Sequence, residues 1–248
     1  MNVLTRRALV AASGLAVTGC DRLVLDPKAR AIAKLAESAT YRLQRLAGRD
    51  ALAREFDASE ISAVFKANGT TRPVEADYQA HAASGFMDWQ VKVHGLVAQP
   101  LSLGLADLAA MPAREQITRH DCVEGWSAIG GWAGPPLALV LEAARVRTSA
   151  RYVLFLCADH YNGGKARYYE SIDLIDAWHP QTILALRLNG QPLDVAHGAP
   201  VRLRVERQLG YKHAKYVQEI VLADSLSGFG KGSGGYWEDR GYEWYAGI

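Results

Sequence analysis

Apolar positions fall into three kinds of pattern along this chain. From Asp26 to about Ala47, charged and apolar residues alternate at helical spacing, with Leu35, Ala39, Leu43 and Leu46 on one stripe. Asp26 followed by Pro27 supplies an N-cap and a first-turn proline, so a helix is predicted there. Residues 48–88 carry little periodicity, and Asn68-Gly69 and Arg72-Pro73 mark turns. Beyond them, short strand patterns alternate with short helical ones. Strands are predicted over Trp89 to His94, Glu115 to Asp121, Tyr152 to Cys157, Ile183 to Leu188, Val201 to Val205 and Tyr216 to Leu222, with helical turns at Leu105 to Ala110 and Pro136 to Ala144. No repeat of fixed period interrupts this order. The fold class it predicts is α+β, mixed β-sheets with short helices, preceded by an N-terminal helix.

Composition narrows the partners more than the fold. At 49% hydrophobic and 22% charged, 248 residues can bury a substantial core. The net charge is +2, and without Arg6 and Arg7 the basic and acidic residues balance, so no nucleic-acid partner is expected. Three cysteines, Cys20, Cys122 and Cys157, show neither CxxC spacing nor an even set for a disulfide framework. The histidines are scattered singly, which speaks against a structural zinc site. No glycine-rich nucleotide loop is present.

Residues 1–20 read as an address. A paired arginine, an apolar run from Ala8 to Val17 too short to span a bilayer, and a small-residue end make a secretory signal. Thr5-Arg6-Arg7-Ala8-Leu9-Val10 resembles a twin-arginine signal, and Val17-Thr18-Gly19-Cys20 resembles a bacterial lipobox. The expectation is a signal peptide over 1–19, removed on export, with Cys20 lipidated and holding the protein on the periplasmic side of the inner membrane. Residues 20–84 would then form the anchor linker and helical segment, and 85–248 the main domain.

The chemistry centres on Cys122. In Ile117-Thr118-Arg119-His120-Asp121-Cys122-Val123-Glu124-Gly125-Trp126-Ser127 the cysteine stands where a strand gives way to a Gly- and Trp-containing loop. A thiolate suits a metal already carrying sulfur donors, and Arg119 with His120 would favour the deprotonated form. Spacing alone leaves a metal ligand and a buried inert cysteine both open.

The stretch resembles the molybdenum-binding segment of the sulfite oxidase superfamily, above all its bacterial periplasmic protein-methionine-sulfoxide reductase catalytic subunits. Their pattern is a strand followed by Arg-x-x-Cys-Val-Glu-x-Trp-Ser. Trp132-Ala133-Gly134-Pro135-Pro136-Leu137, His179-Pro180, Gly198-Ala199-Pro200-Val201-Arg202-Leu203 and Gly210-Tyr211-Lys212 extend the resemblance over about residues 85 to 248.

The resemblance implies a molybdopterin-dependent oxidoreductase with a molybdenum-molybdopterin cofactor, its metal held by Cys122. It implies cofactor contacts from Arg202, from His197 where the reductases have asparagine, from His213, Ala214 and Lys215, from Cys157 where they have threonine, and from Asn68 near the pterin. For these positions the bland readings stay open: a solvated strand arginine at 202, core histidines at 197 and 213, a small buried filler at 157. Asp121 replaces an arginine of the reductases. The aromatic tail Gly235 to Tyr245 reads either as a clamp on the chain end or as a wall of the active-site funnel. The implied function is oxygen-atom transfer to or from a small sulfur-type or sulfoxide-type substrate, with electrons exchanged with a membrane-bound or soluble cytochrome. Reductase, sulfite-type dehydrogenase and a cofactor-free binding module on the same fold are the alternatives. A monomer is expected.

Overall fold

The computed structural model describes residues 26–161 and 164–248. The expected export signal and Cys20, the expected lipidation site, lie outside the described residues.

Two compact units divide the chain at Ala51 and Leu52. The first carries helix α1, Pro27–Gly48. Its start is the predicted one: Asp26 is extended, and its carboxylate accepts from the backbone N–H groups of Lys28, at 2.7 Å, and Ala29, at 3.4 Å. Among the described residues no helix is long and apolar enough to cross a membrane.

Among its described residues the second unit, Leu52–Ile248, contains four short α-helices and eleven strands. In chain order these are α2 (Ala76–Ala83), β1 (Gln90–Gly95), β2 (Leu101–Gly104), α3 (Leu105–Ala110), β3 (Arg114–Cys122), β4 (Trp126–Gly134) and α4 (Leu137–Ala144). There follow β5 (Tyr152–Tyr161), β6 (Ala166–Asp173), α5 (Leu174–Ala177), β7 (Thr182–Ala185), β8 (Arg187–Leu188), β9 (Gln191–Pro192), β10 (Arg202–Val205) and β11 (Val217–Ala223). The sheets are mixed. A five-stranded sheet has the order β2-β1-β11-β5-β6, a four-stranded one β3-β4-β8-β9, and β10 pairs with β7. Only β1 and β11 run parallel among these pairs.

Each predicted strand is found, with one revision. The apolar run at Ile183 to Leu188 is shared between β7 and β8, which belong to different sheets. The unpredicted elements have physical reasons. Helix α2 buries only Tyr78, so its eight residues carry almost no periodic signal. Strand β6 reads as polar but is buried from Tyr168 to Asp173, because Glu170 meets Lys212, 2.6 Å away and itself buried. Strand β4 is rich in small residues for packing reasons: a Cβ on Gly134 would sit 2.0 Å from the carbonyl oxygen of Leu184.

Two apolar clusters result. The larger packs Tyr78, Trp89, Leu141 and Phe155 with the five-stranded sheet. The smaller gathers Phe65, Trp132, Ile183 and Leu193 beside the four-stranded one.

Candidate active site

The β3–β4 hairpin presents Cys122. Its closing pair is Cys122 and Trp126, and Gly125 takes φ +83, a left-handed conformation that a three-residue hairpin loop requires and glycine adopts without strain. Alternation along β3 turns Gln116, Thr118, His120 and Cys122 to the buried face and leaves Arg119 outside.

That alternation corrects the expectation that Arg119 and His120 favour a thiolate. Arg119 Nε donates to Asp121 at 3.0 Å, so the acidic replacement at 121 neutralises its exposed neighbour. His120 is held neutral, its pKa pushed well down by burial first and by Arg204, Arg202 and Lys215 next. Burial pushes the Cys122 thiol up, opposed by the backbone N–H of Glu124, by Lys66 and by the Asn68 side chain, which hydrogen-bonds to it. Deprotonation at neutral pH therefore needs a cation at sulfur, which a metal supplies.

Cys122 opens on a cavity of about 150 Å³. Asn68, His213 and Lys215 line it too, so four of the expected site residues converge there from distant segments. Lys215 donates to the carbonyl oxygens of Asn68 at 2.7 Å, Ala196 at 2.9 Å, and Thr70. Burial and Arg202 pull its pKa to about 7. Three carbonyl acceptors for three N–H groups favour the charged form, and we read Lys215 as an ammonium that ties the Asn68 loop to the Ala196 turn. His213 is neutral for the same reason as His120, burial first; its Nε2 donates to the Gln208 carbonyl at 2.9 Å.

The remaining expected residues lie behind this lining. Cys157 is wholly buried, and burial raises its pKa well above the usual range. Ala214 is also wholly buried and accepts from the Leu203 N–H at 2.8 Å. The His197 ring is engaged at both nitrogens, by Asp194 at 2.7 Å and by the Phe65 carbonyl at 2.9 Å, while its own carbonyl accepts from Arg202 at 3.0 Å.

Arg202 is the unusual one. It is 1% exposed, which removes the reading as a solvated strand arginine. Its neighbour Arg204 is equally buried but donates twice to Glu206, at 2.9 and 2.5 Å. Arg202 has no such partner: its Nε and one terminal nitrogen lack any acceptor among the described residues. Burial and Arg204 pull it down to about 9. A buried guanidinium with two vacant donors is built to receive an anion, and a phosphate meets it with two parallel bonds.

Two aromatic lining residues, Tyr161 and Tyr168, carried no signal in the sequence. Tyr161, Tyr168 and Tyr211 wall the cavity, and Trp237 and Tyr242 of the aromatic tail join them, while Glu243 and Trp244 hold the tail to Tyr211 and Ser171. Tyr211 is held in place because Lys212, next to it, is buried between Glu170 and Glu238. Asp159 is the other lining residue that sequence reasoning missed. Its signal was a carboxylate ending the apolar run of β5.

Among the described residues no three His, Cys, Asp or Glu side chains converge as a metal-binding set. A metal at Cys122 would take its other ligands from a cofactor. The residues present fit a molybdenum-pyranopterin: a lone soft thiol in a cavity, and behind it a buried arginine lacking an anion.

The fold and this pairing of a cavity cysteine with a vacant buried arginine define a molybdopterin-binding oxidoreductase. The chain belongs to the oxidoreductase molybdopterin binding domain family, which it matches over residues 78–228. It is similar to the putative protein-methionine-sulfoxide reductase subunit YedZ1 of Azospira oryzae, 40% identical over 200 residues, covering 77% of this chain and 70% of that protein. It is also similar to the protein-methionine-sulfoxide reductase catalytic subunits MsrP of Xanthomonas campestris and Ralstonia nicotianae. Identity is 38% and 39%, over 56% and 55% of this chain and 46% and 44% of theirs, so the matched region spans under half of those relatives. Among solved structures, the sulfane dehydrogenase SoxCD of Paracoccus pantotrophus shares the fold at TM-score 0.51 and 22% identity, over 56% of this chain and 39% of that one.

Proposed function

We propose that this oxidoreductase reduces sulfoxides, taking the oxygen atom from a small or peptide-borne sulfoxide. Cys122 would hold the metal, Arg202 the cofactor's phosphate, and Asn68 and Lys215 the cavity wall beside it. When bound, the cofactor supplies a two-electron metal couple able to exchange an oxygen atom with substrate.

The observation that carries the direction is the charge of the cavity lining. Glu124 and Asp159 contribute carboxyl groups, His213 is neutral, and the one cation, Lys215, has its three N–H groups on carbonyls. A dianion such as sulfite finds no free cation among the described lining residues. A neutral sulfoxide with its thioether-like arms suits the tyrosine and tryptophan walls. The names of the similar reductases support the same direction.

The test is an assay of cofactor-loaded protein against methionine sulfoxide with reduced viologen and against sulfite with ferricyanide. Sulfoxide turnover at least about tenfold above sulfite turnover is expected. The reverse order would establish the dehydrogenase reading, and neither activity in protein holding molybdenum would sink both.

We further propose twin-arginine export, lipidation at Cys20 and electron supply by a cytochrome at the membrane. The first two rest on Thr5-Arg6-Arg7 and on the Val17-Thr18-Gly19-Cys20 segment, and the third on the likeness to the family alone. Cys20→Ala should move the protein from the membrane fraction to the soluble periplasmic fraction. Unchanged fractionation would refute the anchor.

A further inference from the structure

Strand β5 carries an irregularity that aims a carboxyl group into the cavity. Its pairing with β6 runs from Leu156–Tyr169 to His160–Arg167, four residues along β5 against two along β6. The excess is absorbed at Cys157, Ala158 and Asp159. Arg167 pins the bulge: its Nε donates to the Cys157 carbonyl at 2.6 Å, and its terminal nitrogens donate to Glu219 at 2.7 Å and Gln218 at 3.1 Å. Asp159 consequently lines the same cavity as Cys122.

Asp159 is 2% exposed, yet among the described residues no ion pair accounts for it. Thr70 hydrogen-bonds to its carboxyl, and Oδ1 has no partner among the described residues. The nearest cationic influence, Lys215, spends its N–H groups on three carbonyls. The facing groups are Glu75, which caps α2, and Tyr78 within it, Cys157 and Tyr161 on β5, and Tyr216 just before β11. Apart from Lys215, these are neutral or acidic near pH 7. Burial therefore pushes the Asp159 carboxyl up to about 6, where it holds and releases a proton in the neutral range. A buried carboxyl outside any ion pair and with one oxygen unpartnered costs stability rather than adding to it.

We propose that Asp159 is a catalytic residue of this cavity, its carboxyl passing a proton to the oxygen of a substrate bound beside Cys122. The inference rests on the sulfoxide-reductase reading. The reaction takes a sulfoxide, two electrons and two protons to a thioether and water. The S–O bond breaks, sulfur is reduced, and a one-electron donor, a viologen in the assay or a cytochrome-class protein in place, is oxidised twice. One proton comes from Asp159 and the other from solvent, which then reprotonates the carboxylate. Asp159 acts as an acid, so activity should fall as pH rises through its pKa.

The experiment compares parent, Asp159→Asn and Asp159→Glu, each loaded with molybdenum to the same level, for kcat and KM on methionine sulfoxide with reduced viologen from about pH 5 to 8. In parallel, infrared difference titration follows the protonated-carboxyl band without substrate. Parent kcat should fall about tenfold per pH unit above about 6. Asp159→Asn should lose about a hundredfold in kcat at low pH with KM within about threefold, show a flat profile, and lack a carboxyl band titrating near pH 6. Asp159→Glu should restore the pH limb. A parent that turns over sulfoxide while Asp159→Asn keeps both kcat and the limb overturns this inference alone, as does a band that titrates unchanged in Asp159→Asn. A parent with the titrating band but no sulfoxide turnover overturns the reductase reading and leaves Asp159 as the cavity's proton carrier.

Discussion

Cys122→Ser should abolish turnover, a loss of at least about a thousandfold, while the protein folds as before. The side chain stands at the end of β3 with its sulfur toward the cavity, and serine occupies less volume at the same position. The expected cost to folding is below about 1 kcal/mol, a shift of at most about 4 °C in a domain of this size. What changes is the donor. A hydroxyl is harder than a thiolate and far less acidic, so it neither sheds its proton to a metal nor shares electron density with a sulfur-rich one. Asn68 and the Glu124 N–H, which hydrogen-bond to the sulfur, would remain in place. Turnover of each variant, normalised to molybdenum by elemental analysis, with thermal melts alongside, decides the matter. Activity within tenfold of the parent would remove Cys122 as the essential ligand.

Arg202→Met should do two opposite things: weaken cofactor loading by at least about tenfold and make the cofactor-free protein more stable. The sign follows from the pKa. In an unfolded chain the guanidinium titrates at about 12.5 or above, and in the fold it is pulled down to about 9. Its charged form is therefore disfavoured by folding at every pH below about 9, and that burden disappears when the charge is removed. Methionine fills similar volume between Trp132, whose ring lies 4.8 Å from the guanidinium carbon, and Gly198 without needing hydrogen bonds. Replacing a buried charge that has only the His197 carbonyl and the Trp132 ring as partners by an apolar group should gain about 1–4 kcal/mol in the apo form. Loading moves the other way, because two charge-assisted bonds to a phosphate are lost, each worth about 1.5–3 kcal/mol. Denaturant unfolding of apo-protein and molybdenum content under limiting cofactor measure the two separately. A variant that loads like the parent, or an apo form less stable than the parent, would make Arg202 a structural residue.

What the sequence by itself determined is local. Helix α1 begins where Asp26 and Pro27 place it, α3 covers Leu105–Ala110 as its pattern implies, and the apolar runs of β5, β10 and β11 are strands. These follow from capping, periodicity and burial, which act over a few residues. Cys122 and Arg202 could also be singled out, because the motif around each is contiguous. Tertiary structure decided what depends on contacts far apart in the chain. It buried the polar strand β6 through Lys212, split Ile183 to Leu188 between two sheets, and set His120 inward and Arg119 outward beside the same cysteine. It also left Arg202 without an acceptor while giving Arg204 its glutamate, and turned Asp159 into the cavity through a two-residue excess in β5. Charge, pKa and vacancy at a buried group are set by which distant groups reach it and by how much water is excluded, and neither quantity is written in the order of neighbouring residues.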